Sequence, residues 1–231
     1  MILRLRSGLR ISIPPVFPWE AAKTDVIIRC KSVFHPFHLT SRLCLGFLDR
    51  YIGSVQCRSL LDVGCGSGIL AIAAAARGVP LVIGLDIDMR AINASMDNAR
   101  KNRLVVSPHW ILGKVDALRA DFDCVVANLP FDILVETAAD LKRLLRPGGH
   151  LILSGFHDIH FNWVQQNILS EAMQLEKWSS GDVSFNAVPP SGSYTWLAIV
   201  VKALSQAPHH FRTTQESAVE YRTDGLSTPL S

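Results

Sequence analysis

The run Leu60-Leu61-Asp62-Val63-Gly64-Cys65-Gly66-Ser67-Gly68-Ile69-Leu70 sets three glycines at alternate positions just behind an aspartate. Glycine turns where a β-carbon forbids turning and lets the backbone approach a ligand closely. A dinucleotide loop of the form G-x-G-x-x-G wants its third glycine where this chain has Ile69. A carboxylate at Asp62 suits a ligand carrying positive charge near the loop, such as an amino group, better than a pyrophosphate. A tight turn with no ligand is the plain alternative, and three spaced glycines would then cost conformational entropy without return.

Two further acids stand at useful distances. Asp86, in Gly84-Leu85-Asp86-Ile87-Asp88, falls about 20 residues beyond the loop, where an acidic side chain can accept both hydroxyls of a ribose. Asp88 is the lesser candidate, because it can instead cap the helix that follows. Asp116 can accept from the exocyclic amine of an adenine, or it is a solvated loop acid.

A second constellation is Ala127-Asn128-Leu129-Pro130-Phe131. An asparagine oxygen and a neighbouring backbone carbonyl can accept both hydrogens of an amine and so aim its lone pair. An aromatic face such as Phe131 can hold a planar or cationic group. Asn128, Pro130 and Phe131 are therefore the catalytic candidates, and the plain alternative is that Asn128 and Pro130 simply end a strand. His35 with His38, and His157 with His160, read as loop histidines rather than metal ligands, since no acid or cysteine sits at ligand spacing. Trp163, Trp178 and Trp196 read as core or edge packing, and no metal site is expected.

These residues need elements to position them. Leu60–Val63, Leu81–Leu85, Trp110–Leu112, Phe122–Ala127 and His150–Ser154 read as short apolar strands. Helices over Thr40–Tyr51, Ile69–Arg77, Met89–Asn102 and Ile133–Leu145 alternate with them, the last stopped by Pro147-Gly148-Gly149. Continuous apolar strands between helices indicate a parallel sheet covered on both faces. Leu175–Phe185 and Tyr194–Val201 read as an antiparallel pair at its edge. The expectation is an α/β, doubly wound, mostly parallel Rossmann-like sheet with an antiparallel edge strand. Asp62 and the glycines then lie at the carboxyl ends of strands, where open sheets dock ligands. Residues 1–39 make a short cover, 40–204 the main domain and 205–231 a disordered tail.

The 231 residues suffice for one well-buried domain, and a formal charge of +3 is far from a nucleic-acid footprint. Cys30, Cys44, Cys57, Cys65 and Cys124 contain no C-x-x-C pair, which fits a reducing, cytoplasmic setting. The apolar run from Gly68 to Ile87 is divided by Arg77, Gly78 and Pro80, so no membrane span is expected. Arg4, Arg6 and Arg10 precede the first acid, Glu20, yet Leu3, Leu5, Ile11 and Ile13 alternate with polar residues, as in strand and turn rather than a presequence.

Residues 40–155 resemble the core of the class I S-adenosylmethionine-dependent methyltransferases. Asp62, Gly64, Gly66 and Gly68 match that family's glycine motif and Asp86 its ribose-binding acid. Within it, His38-Leu39-Thr40-Ser41-Arg42-Leu43-Cys44-Leu45 and the Ile69–Ala73 extension are similar to the ribosomal-protein lysine methyltransferases and the related release-factor glutamine methyltransferases. The resemblance implies S-adenosyl-L-methionine as cofactor, with Thr40 or Ser41 near its methionine part. It also implies Asn128 beside the methyl group. The Asn128–Phe131 run resembles the N-P-P-[YF] signature of amide and base N-methyltransferases but carries Leu129 where a proline stands.

Methylation of a protein side-chain nitrogen, on a ribosomal or translation-factor substrate, is the reading carried forward. Its rivals are a base nitrogen of ribosomal or transfer RNA, a non-catalytic cofactor-binding subunit, and a nicotinamide oxidoreductase. The resemblance also implies a separate recognition domain, for which the roughly 40 residues ahead of Thr40 are too few by ordinary domain sizes. Recognition is expected to use the cover, the loops after the fifth strand, or a partner.

Overall fold

The computed structural model describes residues 2–14, 25–29, 35–54, 56–182, 193 and 195–205. Three short strands, β1 (Ile2–Arg4), β2 (Arg10–Ser12) and β3 (Val26–Ile27), form a small sheet at the amino-terminal side. Helix α1 (Leu39–Ser54) leads into β4 (Ser59–Val63), α2 (Ile69–Ala76), β5 (Leu81–Asp86), α3 (Met89–Arg100), β6 (His109–Leu112) and β7 (Phe122–Asn128). Then come α4 (Phe131–Arg143), β8 (Leu145–His157), α5 (Phe161–Asn167), β9 (Met173–Asp182) and β10 (Thr195–Ala203).

The large sheet has the order β6-β5-β4-β7-β8-β10-β9. Strands β4 to β8 pair in parallel, and β10 runs against both of its neighbours. The expected antiparallel pair is present, with the reversed strand lying one place in from the edge. The strand order changes direction between β4 and β7, which opens a crevice at their carboxyl ends.

Period-two alternation divides the core between the two faces. Leu60, Cys124, Val126 and Ile152 face α1 and α2, whereas Leu61, Val125, Ala127 and Leu153 face α4 and α5. Cys44, Cys57, Cys65 and Cys124 are buried free thiols. No described helix is long and apolar enough to cross a membrane.

Three sequence expectations need correction. Pro147-Gly148-Gly149 does not separate helix from strand. It lies inside β8, where four residues after Leu145 stand opposite the single Asp123, so the chain bulges without leaving the sheet. The α4 helix accordingly stops at Arg143. The loops expected after the fifth strand include helix α5, which buries Val164. The tail lies outside the described residues from 206 onward.

The small sheet is fastened to the main domain by side chains that imitate a strand edge. Asn102 accepts from the Ile27 amide (2.7 Å) and donates to its carbonyl (2.9 Å). One turn earlier Asn98 does the same for Arg29 and also donates to the Ser67 carbonyl (2.9 Å). A single buried asparagine thus joins the cover to the glycine loop.

Candidate active site

The three glycines of the loop all adopt positive φ (Gly64 70°, Gly66 54°, Gly68 77°), a region that side chains disfavour. Their reasons differ. A β-carbon on Gly64 would run into the Leu129 side chain, and one on Gly68 would meet Trp110 at 2.8 Å and the Ser95 hydroxyl at 2.9 Å. Trp110, under the loop, carried no signal in the sequence beyond its place in a weak strand.

The loop, the end of β5, the start of α4 and the end of β8 enclose a cavity of about 910 Å³. Its size suits a nucleoside-sized ligand with room for a second group. Of the residues expected to hold a cofactor, Thr40, Ser41, Gly64, Gly66, Asp86, Asp116 and Asn128 line it. Asp62 and Gly68 do not.

Asp62 is 1% exposed and accepts from the Ala71 amide at 3.1 Å, bracing the first turn of α2 from behind the loop. The expectation that it faces a charged ligand is therefore corrected. Burial pushes its carboxyl up to about 7, with Asp86 pushing the same way against the Ala71 hydrogen bond. An unfolded carboxyl ionises near ~4. Between about pH 4 and 7 the folded protein thus keeps a proton that the unfolded chain has released, so stability should fall as pH rises through that window, by up to about 4 kcal/mol. Urea midpoints at pH 5 and 7 measure this, and Asp62→Asn should flatten the slope. An unchanged slope would mean Asp62 is ionised in the fold.

Asp86 holds the loop from the cavity side, accepting from the Gly66 amide (3.0 Å) and the Asp88 amide (3.0 Å). A carboxylate has about four acceptor sites, so capacity remains for two ribose hydroxyls. Asp88 caps α3, accepting from the Arg90 amide at 2.8 Å, and pairs with the Arg90 side chain. Asp116 sits in a short turn, Val115–Ala117, at the far end of the cavity.

At the other end Asn128 finishes β7. Its amide nitrogen donates to the Ser41 hydroxyl at 3.1 Å, which fixes the side chain. Its oxygen Oδ1 is buried with no hydrogen-bond partner. A buried acceptor without a donor costs about 1–3 kcal/mol, a cost met at a site built for a ligand donor. Thr40 is buried, and its hydroxyl lies 3.0 Å from His38 Nδ1.

Leu129 explains its own departure from proline. Its amide donates to the Ser154 carbonyl at 3.1 Å, a bond that proline cannot make. Pro130 then caps α4 and places Phe131 at its first residue. Phe131 is stacked on His160 (centroids 3.8 Å apart, planes 8° apart) with Trp163 edge-on at 5.4 Å.

Trp196 from β10 lies 3.8 Å from His157 and meets His38 edge-on at 5.1 Å. Phe131, His157, His160 and Trp196 wall this end of the cavity. Trp163 packs against the core and Phe131 as expected, whereas Trp196 does more than pack, because β10 brings it to the cavity wall. Burial, helped by neighbouring histidines, holds the His38 and His160 imidazoles below their usual value, which favours their neutral forms. No group of metal ligands occurs among the described residues.

Comparison with known proteins bears on this geometry. A family model described as ribosomal protein L11 methyltransferase (PrmA) matches residues 36–182. The ribosomal protein L11 methyltransferase of Azotobacter vinelandii is 47% identical over 118 residues, 51% of this chain and 40% of that protein. That of Syntrophotalea carbinolica is 44% identical over 157 residues, 65% and 50% respectively. The chain spans about half the length of the curated relatives it matches. A crystal structure of ribosomal protein L11 methylase from Lactobacillus delbrueckii superposes with a TM-score of 0.67 at 25% identity, covering 88% of this chain and 97% of that one. The fold is shared with the N-methyltransferase NodS of Bradyrhizobium japonicum, solved with S-adenosyl-L-homocysteine (TM-score 0.56, 17% identity, 72% of this chain and 89% of that one).

Proposed function

The chain belongs to the ribosomal protein L11 methyltransferase (PrmA) family, and we propose that it transfers a methyl group from S-adenosylmethionine to a side-chain nitrogen of a ribosomal protein. The observation that carries this reading is the unpartnered Asn128 Oδ1, fixed by Ser41 and buried at the end of the cavity opposite Asp116. The residues present fit the cofactor. Asp86 has acceptor sites for the ribose, the glycine loop leaves room for close approach, Asp116 suits the adenine amine, and Thr40 and Ser41 border the methionine end. When bound, S-adenosylmethionine supplies an electrophilic methyl group on a sulfonium.

The chain's own residues supply position. A neutral primary amine has two N–H donors and one lone pair. Asn128 Oδ1 and the Leu129 carbonyl can accept the two donors, which leaves the lone pair free and oriented. Holding reactants in this way contributes up to about 7–11 kcal/mol to a displacement. The ring wall of Phe131, His160, His157 and Trp196 keeps water from the acceptor and gives a cationic group a favourable surface.

Charge favours a protein over RNA. Asp86, Asp88, Asp116, Glu136 and Asp140 line the cavity, and Lys114 is the one lysine or arginine among its described lining residues. A basic protein segment is drawn to such a mouth and a polyanion is repelled. A ribosomal substrate is consistent with a cytoplasmic setting, in which buried thiols such as Cys44 and Cys124 stay reduced.

The test is transfer of labelled methyl from S-adenosylmethionine into lysate fractions treated with nuclease or with protease. Label should survive nuclease and disappear with protease. Label lost only to nuclease would transfer the assignment to RNA, and tight cofactor binding without any transfer would make the chain a non-catalytic subunit.

A further inference from the structure

Gly155, on the last turn of β8 toward the cavity, has a φ of +94° and no sequence motif pointing to it. The space that a side chain at 155 would fill is taken by the Leu129 peptide. A β-carbon there would collide with the Leu129 carbonyl oxygen and stand 2.6 Å from the carbonyl carbon and 2.8 Å from the Leu129 nitrogen. Real β-carbons do not approach backbone so closely, so any side chain at 155 must displace that peptide.

Leu129 is held on two other sides as well. Its amide bonds to the Ser154 carbonyl, and its side chain fills the hollow left by the missing β-carbon of Gly64. One residue therefore touches the catalytic asparagine through the chain, the cofactor loop through its side chain, and β8 through its peptide.

We propose that Gly155 is a positioning residue for methyl transfer, setting where the Leu129 carbonyl stands as the second acceptor for the target amine. The proposal rests on the functional reading above, because the carbonyl matters only if an amine docks there. Gly155 touches neither reacting atom; it acts through Leu129.

Gly148 provides the control. It lies in the same strand with a φ of +81°, and a β-carbon there meets nothing within 4 Å. Alanine at 148 and at 155 therefore impose a similar backbone penalty, and only the second collides.

The experiment compares Gly155→Ala and Gly148→Ala with the unaltered chain in three measurements. These are methyl transfer to ribosomal protein, affinity for S-adenosylhomocysteine by calorimetry, and amide exchange at Leu129 by NMR. For Gly155→Ala, kcat should drop about 100-fold, the loss expected from misplacement by about 1 Å. Its S-adenosylhomocysteine affinity should stay within about threefold, and its Leu129 amide should exchange about tenfold faster or more as the bond to Ser154 loosens. Gly148→Ala should match the unaltered chain in all three.

Normal exchange at Leu129 in Gly155→Ala overturns the proposal whatever the activity. So does accelerated exchange with full kcat, and so does an equal loss of kcat in Gly148→Ala. If the unaltered chain itself transfers no methyl group while exchange still accelerates, the functional reading fails and the Gly155–Leu129 contact stands.

Discussion

Replacing Asn128 with alanine is expected to lower kcat by about 100-fold or more, the range seen when one preorganised polar group is removed from a reacting centre. The expectation follows from how the amide is used. Its nitrogen is committed to Ser41 and its oxygen is buried without a donor. Alanine would remove the acceptor and leave the fold little altered, since Asn128 caps no helix and its backbone continues the β7–β8 ladder. Affinity for S-adenosylhomocysteine should fall by less than about tenfold, the worth of one neutral hydrogen bond. Ser41→Ala, which frees the amide without removing it, should give a smaller loss. A kcat within about threefold of the unaltered chain for Asn128→Ala, corresponding to less than about 1 kcal/mol, would remove Asn128 from the mechanism.

The second large effect is on binding rather than turnover. Asp86→Ala should weaken S-adenosylhomocysteine binding by about 100-fold or more. Two hydrogen bonds to a charged acceptor account for it, at about 1.5–3 kcal/mol each. The loop would also lose its anchor, because the same carboxylate receives the Gly66 and Asp88 amides. At saturating cofactor kcat should recover, in contrast with Asn128→Ala. Isothermal titration of both variants separates the two roles, and an Asp86→Ala protein with unaltered affinity would mean that the ribose lies elsewhere.

These two residues also show what a sequence can disclose. Asp86 follows the glycine loop within one strand–helix–strand unit, so its distance along the chain measures its distance in space. The glycines likewise announce a turn, because only their backbone freedom explains three of them together. Asn128 was visible as a chemical type, yet its orienting partner Ser41 lies 87 residues away and bears no mark of that role. Asp62 was found but misplaced: adjacency to the loop says nothing about which side of it a carboxylate faces, and here the amide of Ala71 draws it inward.

Gly155 carries no sequence motif, and Trp196 reads from sequence only as packing, for a related reason. Gly155 matters through contact with Leu129 across two strands, and Trp196 through a reversed strand that sets it beside His157. The Leu129 departure from proline depends on its amide bond to Ser154, a contact between strands that the sequence does not mark.

The reversed strand also orders events in time. Among the described strands β9 pairs with β10 alone, and β10 lies between it and β8. As the chain leaves the ribosome, β4 to β8 and the glycine loop can associate while β9 has no neighbour to join. Only when Thr195–Ala203 emerges can both gaps in the sheet close, Ser154 bond to the Leu197 carbonyl (2.7 Å), and Trp196 reach His157. The cofactor loop can thus form early in synthesis, whereas the wall at the acceptor end is completed only when Trp196 arrives. A nascent chain halted before residue 195 would have its loop in place and no completed wall against which to hold a target.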